Sequence, residues 1–440
     1  MRRRDEARYH VLMPDSHNRV AIDRVDWPSV LPVLRLVGAF RNALQPGKLT
    51  IALLAVVLIY LSGITIDALF GVNESNDAPG DLRAFETLVH LEAGAFSDMV
   101  ASALALEHGF GPSSHGVADA LLAVVVSIPY AMFDTHPWFT LLFGIDVLFV
   151  LAIASGVICR MAATQVCAKK TTPMGSAACF VSKRWAWYFL TPLMPALLIA
   201  LLAGVLVLAG LVLFNMAYLE IIGSLVYGLL LLLGFVIALV SLLLIFALFL
   251  MPPALSAEAS DGFDAIARSF NYVMFRPWQF AGYLIASLVY LAVVYVLVVA
   301  LSGLTVAATY QMVDLCSFAK VDLPDVLSEY EPTRHESILS GGEGTEGISV
   351  STSAWIVARW MQLLSAIGIA VLFSVFCCLQ TQVYVLMRRS ADGTPLDQYG
   401  GDEPRDLWQE DTDTADAQAT PQAEPGNDTD AQPDPPQAGD

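Results

Sequence analysis

Charged side chains are scarce in this sequence: they make up 15% of its 440 residues, whereas 56% are hydrophobic. In soluble domains about a quarter of the residues are charged. The formal net charge of -19 is concentrated at one end, because residues 392–440 hold fourteen acidic residues and one arginine. The composition therefore excludes an ordinary soluble domain and predicts an all-α, polytopic integral membrane protein with a mildly acidic body.

The motifs of several enzyme classes are also missing. The six cysteines show no C-x-x-C spacing, which argues against a disulfide framework or a zinc site. The nucleotide-binding G-x-x-x-x-G-K-S/T, the serine-hydrolase G-x-S-x-G and the zincin H-E-x-x-H do not occur. The sequence therefore indicates no catalytic residue and no cofactor. It also indicates no nucleic-acid partner, because its basic residues cluster where anionic lipid is the simpler partner.

Six apolar runs are long enough to cross about 30 Å of hydrocarbon as helices. No signal-peptide hydrophobic region follows the arginines at positions 2–4, so we expect the first span to be retained. The predicted spans are residues 49–70, 138–159, 190–214, 225–250, 278–299 and 362–384.

The distribution of Lys and Arg predicts the orientation of these spans. Nineteen of the 23 basic residues fall in segments 1–48, 160–184, 251–278 and after 384, which alternate with segments that hold four. Short cytoplasmic segments carry the positive excess. Both termini are therefore predicted to lie in the cytoplasm. The protein itself is predicted to lie in the inner (cytoplasmic) membrane of a cell.

Three regions follow from this topology. Residues 1–48 form a cytoplasmic segment with an interfacial helix, residues 49–389 form the membrane domain, and residues 390–440 form an acidic tail that lacks the apolar residues needed to fold. The predicted outer loop between the first two spans, residues 71–137, carries two amphipathic segments, 82–106 and 117–133. The second offers only about fourteen residues between polar flanks, so we interpret it as re-entrant or interfacial.

The stretch 251–278 interrupts the longest apolar region and is predicted to be an amphipathic surface helix. Its apolar face, with Phe263, Ile266 and Phe270, is expected to enter lipid. Residues 175–187 repeat part of its pattern when Ala178 is aligned with Ala265. This echo indicates either a duplicated unit, as in transporters, or the common needs of two interfacial helices.

A pattern of small, acidic and aromatic residues in the same stretch resembles a known group of proteins. The group comprises bacterial multi-pass membrane proteins similar to the membrane domain attached to some glycerophosphodiester phosphodiesterases. The resemblance covers roughly residues 140–390 and implies a membrane domain without catalytic residues, because no phosphodiesterase domain is present in the sequence. The residues that carry it are Pro253, Glu258, Gly262, Ala265, Ser269, Phe270 and Trp278.

Asp146 is the one carboxylate well inside a predicted span. An intramembrane acid indicates a proton carrier, a cation site or half of an ion pair. Arg359 is the basic residue placed to reach it, and Gln380 adds a polar group near the other end of the last span. These three residues form the predicted intramembrane polar site, with structural pairing and helix contacts as the alternative.

Four basic residues beside the surface helices, Lys183, Arg184, Arg268 and Arg276, are predicted to contact lipid headgroups. The outer-loop histidines match no metal-ligand spacing, so we expect surface histidines rather than a metal site.

The leading hypothesis for function is a non-enzymatic membrane scaffold or accessory factor, with lipids and a protein bound to the acidic tail as partners. The alternatives are a small-solute or lipid transporter that uses Asp146 and, more weakly, an intramembrane enzyme.

Overall fold

Six long apolar helices make up most of the part of the chain that the structure describes. The computed structural model describes Leu36, Gly116 and residues 38–70, 84–105, 119–120, 123–215, 219–316 and 345–393. Every regular element within these ranges is helical, and six helices are long and apolar enough to cross a membrane. The all-α, multi-pass prediction is therefore confirmed.

The helices take the following order along the chain. They are α1 (Gly38–Ala43), α2 (Pro46–Phe70), α3 (Ala84–Ala105), a π-helical turn (Ala123–Ser127), α4 (Ile128–Thr135), α5 (Pro137–Cys167), α6 (Met174–Lys183), α7 (Trp185–Phe214), α8 (Leu219–Leu248), α9 (Met251–Glu258), α10 (Gly262–Phe275), α11 (Pro277–Cys316) and α12 (Thr345–Asp392). The six spans are α2, α5, α7, α8, α11 and α12.

Several spans are longer than the apolar runs that predict them. Helix α11 has 40 residues and α12 has 48, or about 60 and 72 Å at 1.5 Å per residue. A hydrocarbon layer of about 30 Å covers only half of such lengths. Both helices therefore continue beyond the bilayer, because polar residues that mark the end of a span do not end a helix.

The six crossings place α1, α6, α9, α10 and the C-terminal end of α12 on one side of the membrane, here called the basic face. Helices α3 and α4 lie on the opposite face. Helix α3 matches the predicted segment 82–106, and the described part of segment 117–133 is the π-helical turn followed by α4. Neither α3 nor α4 is one of the six candidate spans, which agrees with the re-entrant or interfacial interpretation.

The core lies toward the basic face, where α2, α5, α9 and α12 pack together. Residues 154–164 of α5 and 374–388 of α12 are almost entirely buried there. Helices α7 and α8 differ, because they pack on each other and bury almost none of their most apolar stretch inside the protein. Their exposed leucine and valine faces are those of a helical hairpin that contacts lipid.

The stretch 251–278 holds two helices rather than one. Pro252 and Pro253 stand in the first turn of α9, where a helix needs no N–H donor from them. Ala259 ends α9 in the left-handed conformation, with φ of 55°. Helix α9 is buried in the core, so the prediction of a single surface helix is wrong for this part and right for α10.

Two of the three predicted residues on the apolar face of α10 are covered by protein rather than by lipid, whereas Phe263 is 63% exposed. Ile266 and Phe270 pack against a cluster formed by Leu244, Ala247 and Met251. The predicted entry of these two side chains into lipid is therefore wrong, because α8 and α9 lie where lipid was expected.

Surface helices α6 and α10 share one arrangement. Each is followed by a single arginine, Arg184 or Arg276, and then at once by the next span. Both arginines are outside helical geometry, with φ of -122° and -133°. The echo in the sequence thus corresponds to two similar joints between a surface helix and a span.

Candidate functional site

Two arginines bind the C-terminal end of buried helix α9. Arg160 of α5 is 1% exposed, and its Nη1 donates to the carbonyl oxygen of Ser256 at 2.8 Å. Arg184, between α6 and α7, donates through Nη1 to the carbonyl oxygen of Ala259. The last carbonyl groups of a helix lack partners within it and carry the negative end of its dipole. The two guanidinium groups therefore satisfy these carbonyls and complement the dipole.

The ring of Phe180 in α6 lies beside both of these arginines. Its centroid is 3.9 Å from Cζ of Arg160 and 4.9 Å from Cζ of Arg184. Such distances permit cation–π attraction, which strengthens when the groups are shielded from water. One aromatic ring thus joins α6 to the residues that hold α9.

A hydroxyl group connects α9 to two of the spans. Ser256 Oγ donates to the carbonyl oxygen of Gly156 at 3.1 Å and lies 2.9 Å from the hydroxyl of Tyr188. A Cβ atom at Gly156 would come within 2.6 Å of the Tyr188 ring. Glycine is therefore required at this point for α5 and α7 to approach each other.

A buried ion pair fixes the end of the last span to α9. Arg388 Nη1 lies 2.7 Å from Glu258 Oε1, and the two side chains are 2% and 19% exposed. The hydroxyl of Tyr384 also donates to Glu258, at 3.3 Å. Arg160, Arg184 and Arg388 together are called the arginine cluster below. Its three cations all act on α9, which makes this short helix the joint between the spans.

A buried lysine holds α1 against the spans in a similar way. Lys48 is fully buried, and its Nζ contacts the carbonyl oxygen of Asn42 at 3.0 Å, Gln165 Oε1 at 2.5 Å and Cys378 Sγ at 3.8 Å. An ammonium group has three N–H donors, so each has an acceptor here. Nearby, Ser374 Oγ donates to the carbonyl oxygen of Ala43 at 2.8 Å.

A groove of about 540 Å³ lies on the basic face between α10 and the end of α12. Its polar lining consists of Asp264, Arg268, Asn271, Tyr272, Arg276 and Asp392. Two cations and two anions thus face one open space. This balance distinguishes the groove from a purely basic patch.

Some of these groups already have partners within the groove. Arg268 Nε lies 2.8 Å from Asp264 Oδ2. The hydroxyl of Tyr272 donates to Asp392 Oδ2. Burial and, after it, this contact with Asp392 raise the pKa of Tyr272 above its usual value. Tyr272 therefore stays protonated and remains a hydrogen-bond donor at neutral pH.

Two of the predicted intramembrane residues form separate hydrogen bonds with α2, toward the opposite face. Asp146 of α5 accepts from Ser62 Oγ at 2.5 Å. Arg359 of α12 donates to the hydroxyl of Tyr60 at 3.0 Å and to Gln362 Oε1 at 2.6 Å. Asp146 and Arg359 are thus each held by a different residue of α2, and the two sets of contacts connect α2 separately to α5 and to α12.

Gln380, the third residue of the predicted polar site, lies elsewhere. It is 4% exposed in the buried half of α12, and its Oε1 accepts no hydrogen bond from the described residues. The structure therefore gives Gln380 no hydrogen bond to Asp146 or to Arg359.

The four predicted headgroup residues differ in their surroundings. Lys183 and Arg276 are exposed on the basic face. Arg184 and Arg268 are partly buried and bind protein groups, Ala259 and Asp264 respectively. Contact of any of them with lipid stays a prediction, and Lys183 and Arg276 are the two that are placed to make it.

Among the described ranges, no three His, Cys, Asp or Glu side chains come together as metal ligands. His90 and His136 are within these ranges, whereas His108 and His115 lie outside them. Burial raises the pKa of Glu92 in α3, which favours its protonated form.

Sequence reasoning missed the arginine cluster. From the sequence, Arg160 and Arg388 count only among the basic residues of segments 160–184 and after 384 that predict the orientation. One signal was present at Arg160, since Met161, Ala162 and Ala163 continue an apolar helical pattern beyond it. The partners of these arginines lie 96 and 130 residues away, so no local pattern could identify them.

Comparisons of the chain with protein-family models, curated proteins and solved structures find no match. The resemblance drawn from the sequence therefore stays a prediction, and function is inferred from the contacts described above.

Proposed function

We propose that this chain is a non-enzymatic scaffold or accessory protein of the cytoplasmic membrane, seated with its basic face at the cytoplasmic headgroup layer. The observation that carries this proposal is the use of the buried polar groups. Arg160, Lys48 and the Arg388–Glu258 pair all connect one helix to another. Charged groups used in this way fix a rigid helical platform.

The exposed residues of the basic face support the orientation. Lys183 and Arg276 are exposed beside the two joints between surface helix and span. Trp185 and Trp278, 50% and 88% exposed, stand at the start of α7 and α11. Tryptophan and basic residues are typical of the headgroup layer, and the basic ones favour the cytoplasmic side. The acidic segment from residue 394 onward would then be available to a cytoplasmic partner.

Deletion of residues 394–440 tests the scaffold role while it spares Asp392 in the groove. We expect the shortened protein to insert in the membrane and to lose specific co-purifying proteins. A variant with the same tail composition in scrambled order is the matched control for charge. If the shortened and full-length proteins retain identical partners, the proposed role of the tail is wrong.

Labelling of cysteine tests the orientation. Cys179 in α6 is exposed on the basic face, whereas Cys167 is 2% exposed and too buried to report. A membrane-impermeant maleimide should label Cys179 in inverted vesicles and not in intact cells. Labelling in intact cells alone would place the basic face outside and overturn the topology.

A transporter is the second candidate, and the contacts of Asp146 favour it. Asp146 of α5 and Arg359 of α12 are each hydrogen-bonded to a polar residue of α2, Ser62 and Tyr60 respectively, and polar groups inside spans are typical of transport paths. If the protein transports, Asp146→Asn should abolish solute-dependent uptake into reconstituted vesicles, and Asp134→Asn, on the opposite face, should not. Uptake that is unchanged in Asp146→Asn would exclude this use of the carboxylate.

A further inference from the structure

We propose that the groove between α10 and the end of α12 binds a zwitterionic headgroup in which a phosphate is joined to a primary ammonium. This inference rests on the proposed seating of the basic face at the headgroup layer. The phosphate contacts Arg276, and the ammonium contacts Asp392.

The two residues have the charges that such a headgroup needs. Arg276 donates to Ser390 Oγ at 2.9 Å and to Gln279 Oε1 at 3.3 Å, and Asp392 accepts from the Tyr272 hydroxyl. Within the part of the chain that the structure describes, neither residue forms an ion pair. A positive and a negative side chain therefore line one groove while each retains its charge for a ligand.

The size of the groove suits a headgroup. A cavity of about 540 Å³ is within the range of small-molecule sites, roughly 300–1,000 Å³. Arg268 and Asp264, which also line it, are paired with each other at 2.8 Å. They add polarity to the wall without changing the net charge, so Arg276 and Asp392 determine which ligand fits.

The dipoles of two spans have the same polarity as the charges of these two side chains. Arg276 directly precedes the N-terminus of α11, and Asp392 is the last residue of α12. A helix carries partial positive charge at its N-terminus and partial negative charge at its C-terminus. The phosphate would thus face the positive end of α11 and the ammonium the negative end of α12, with the Ser390–Gln279 contact of 2.5 Å holding the two ends together.

Apolar side chains at the edge of the groove favour a lipid over a soluble molecule. Phe275 lines the groove and is 77% exposed, and Trp278, three residues later at the start of α11, is 88% exposed. In a membrane these rings are placed among headgroups and upper acyl chains. A headgroup in the groove would therefore have its own acyl chains beside them.

The balance of charge explains why a zwitterion fits better than an anion. An anionic headgroup gains contact with Arg276 but meets the carboxylate of Asp392 with no cation to offer it. A primary ammonium donates charge-assisted hydrogen bonds to that carboxylate, whereas a quaternary ammonium has no N–H. Phosphatidylethanolamine is therefore expected to bind more tightly than phosphatidylglycerol or phosphatidylcholine.

Native mass spectrometry of the full-length protein with matched-chain lipids tests this preference. We expect retention of phosphatidylethanolamine about three- to fivefold above that of the other two lipids, because exposed charge pairs are worth up to about 1 kcal/mol. Arg276→Gln should lower retention of phosphatidylethanolamine. Asp392→Asn should reduce it to the level of phosphatidylcholine, and Asp392→Lys should reverse the preference toward phosphatidylglycerol.

Arg389→Gln is the matched control, since this exposed cation adjoins the same helix end without lining the groove. Its lipid preference should equal that of the unaltered protein. Soluble glycerophosphoethanolamine distinguishes the source: binding as tight as that of the lipid would support the headgroup chemistry and reject the lipid source. Equal retention of all three lipids, or an unchanged preference in Asp392→Asn, would overturn the inference, while tail-dependent partners would still report on the scaffold role.

Discussion

Separation of Arg388 from Glu258 should destabilise the membrane domain strongly. The Arg388 side chain is 2% exposed and that of Glu258 is 19% exposed, at a distance of 2.7 Å. Removal of one member of a buried ion pair leaves the other charge without compensation and costs about 3–5 kcal/mol. For Arg388→Met we expect the low end, about 3 kcal/mol, because water reaches part of Glu258 and Tyr384 still donates to it. Glu258→Gln should cost about 4 kcal/mol, since the more deeply buried cation loses its contact with a carboxylate.

The double variant Arg388→Met/Glu258→Gln separates the pair from its surroundings. Without either charge, the remaining cost is that of lost packing and hydrogen bonds, about 2–3 kcal/mol. The double variant should therefore be more stable than the sum of the two single changes by well over 1.5 kcal/mol. Arg389→Met, one residue further and exposed, is the control and should change stability by less than about 0.5 kcal/mol.

Buried thiols supply the assay for these variants. Cys159, Cys167, Cys377 and Cys378 are buried, so a thiol-reactive fluorophore labels them only when the core opens. In a background with Cys179 and Cys316 replaced by serine, labelling during a denaturing detergent titration gives the free energy of unfolding. Single changes that cost less than about 0.5 kcal/mol, or strictly additive costs in the double variant, would refute the reasoning.

Three further changes test other contacts by the same assay or by thermal unfolding. Gly262→Ala should destabilise by about 1–3 kcal/mol, because its Cβ would come within 2.6 Å of the Trp187 ring, whereas Gly175→Ala in open space should be neutral or stabilising; equal effects would contradict this. Lys48→Met should cost about 1–3 kcal/mol, since two oxygen acceptors lose their donor, and an unchanged midpoint would show that they find another. Burial raises the pKa of Glu92 above its usual value. The protonated carboxyl therefore contributes to the free energy of unfolding at low pH, and this contribution is lost as the pH rises through the raised pKa. Glu92→Gln should remove that loss, and an identical pH profile would exclude the effect.

The spans were predictable because each is a long apolar run, and apolar length is a local property of a sequence. The burial of α9 was not predictable, because Pro252 and Pro253 directly follow an apolar run and the whole stretch 251–278 was interpreted as one surface helix. Proline ends a helix only from its interior and is accepted in the first turn, where both stand in α9. Knowledge of where the next helix starts was needed to choose between these positions.

The candidate site was predicted in part. Asp146 is visible in the sequence because it is an acid within an apolar run, and the structure confirms that it lies inside α5. Its partner Ser62 was not predicted, since a serine gives no signal in a span and is 84 residues away. The groove was not predicted: Arg268 and Arg276 were identified only as headgroup residues. Asp392, one of the two acidic residues of the groove, comes from the other end of the membrane domain.

The position of α12 imposes an order on biosynthesis. The carbonyl of Ala43 accepts from the hydroxyl of Ser374, which is synthesised 331 residues later. The delay is roughly 20–60 s at the usual 5–20 residues per second of translation. For much of that interval α2 and α5 have been synthesised without the helix that covers them. A nascent chain that stalls before α12 would expose this uncovered surface to membrane proteases, because α12 is the helix that completes the core.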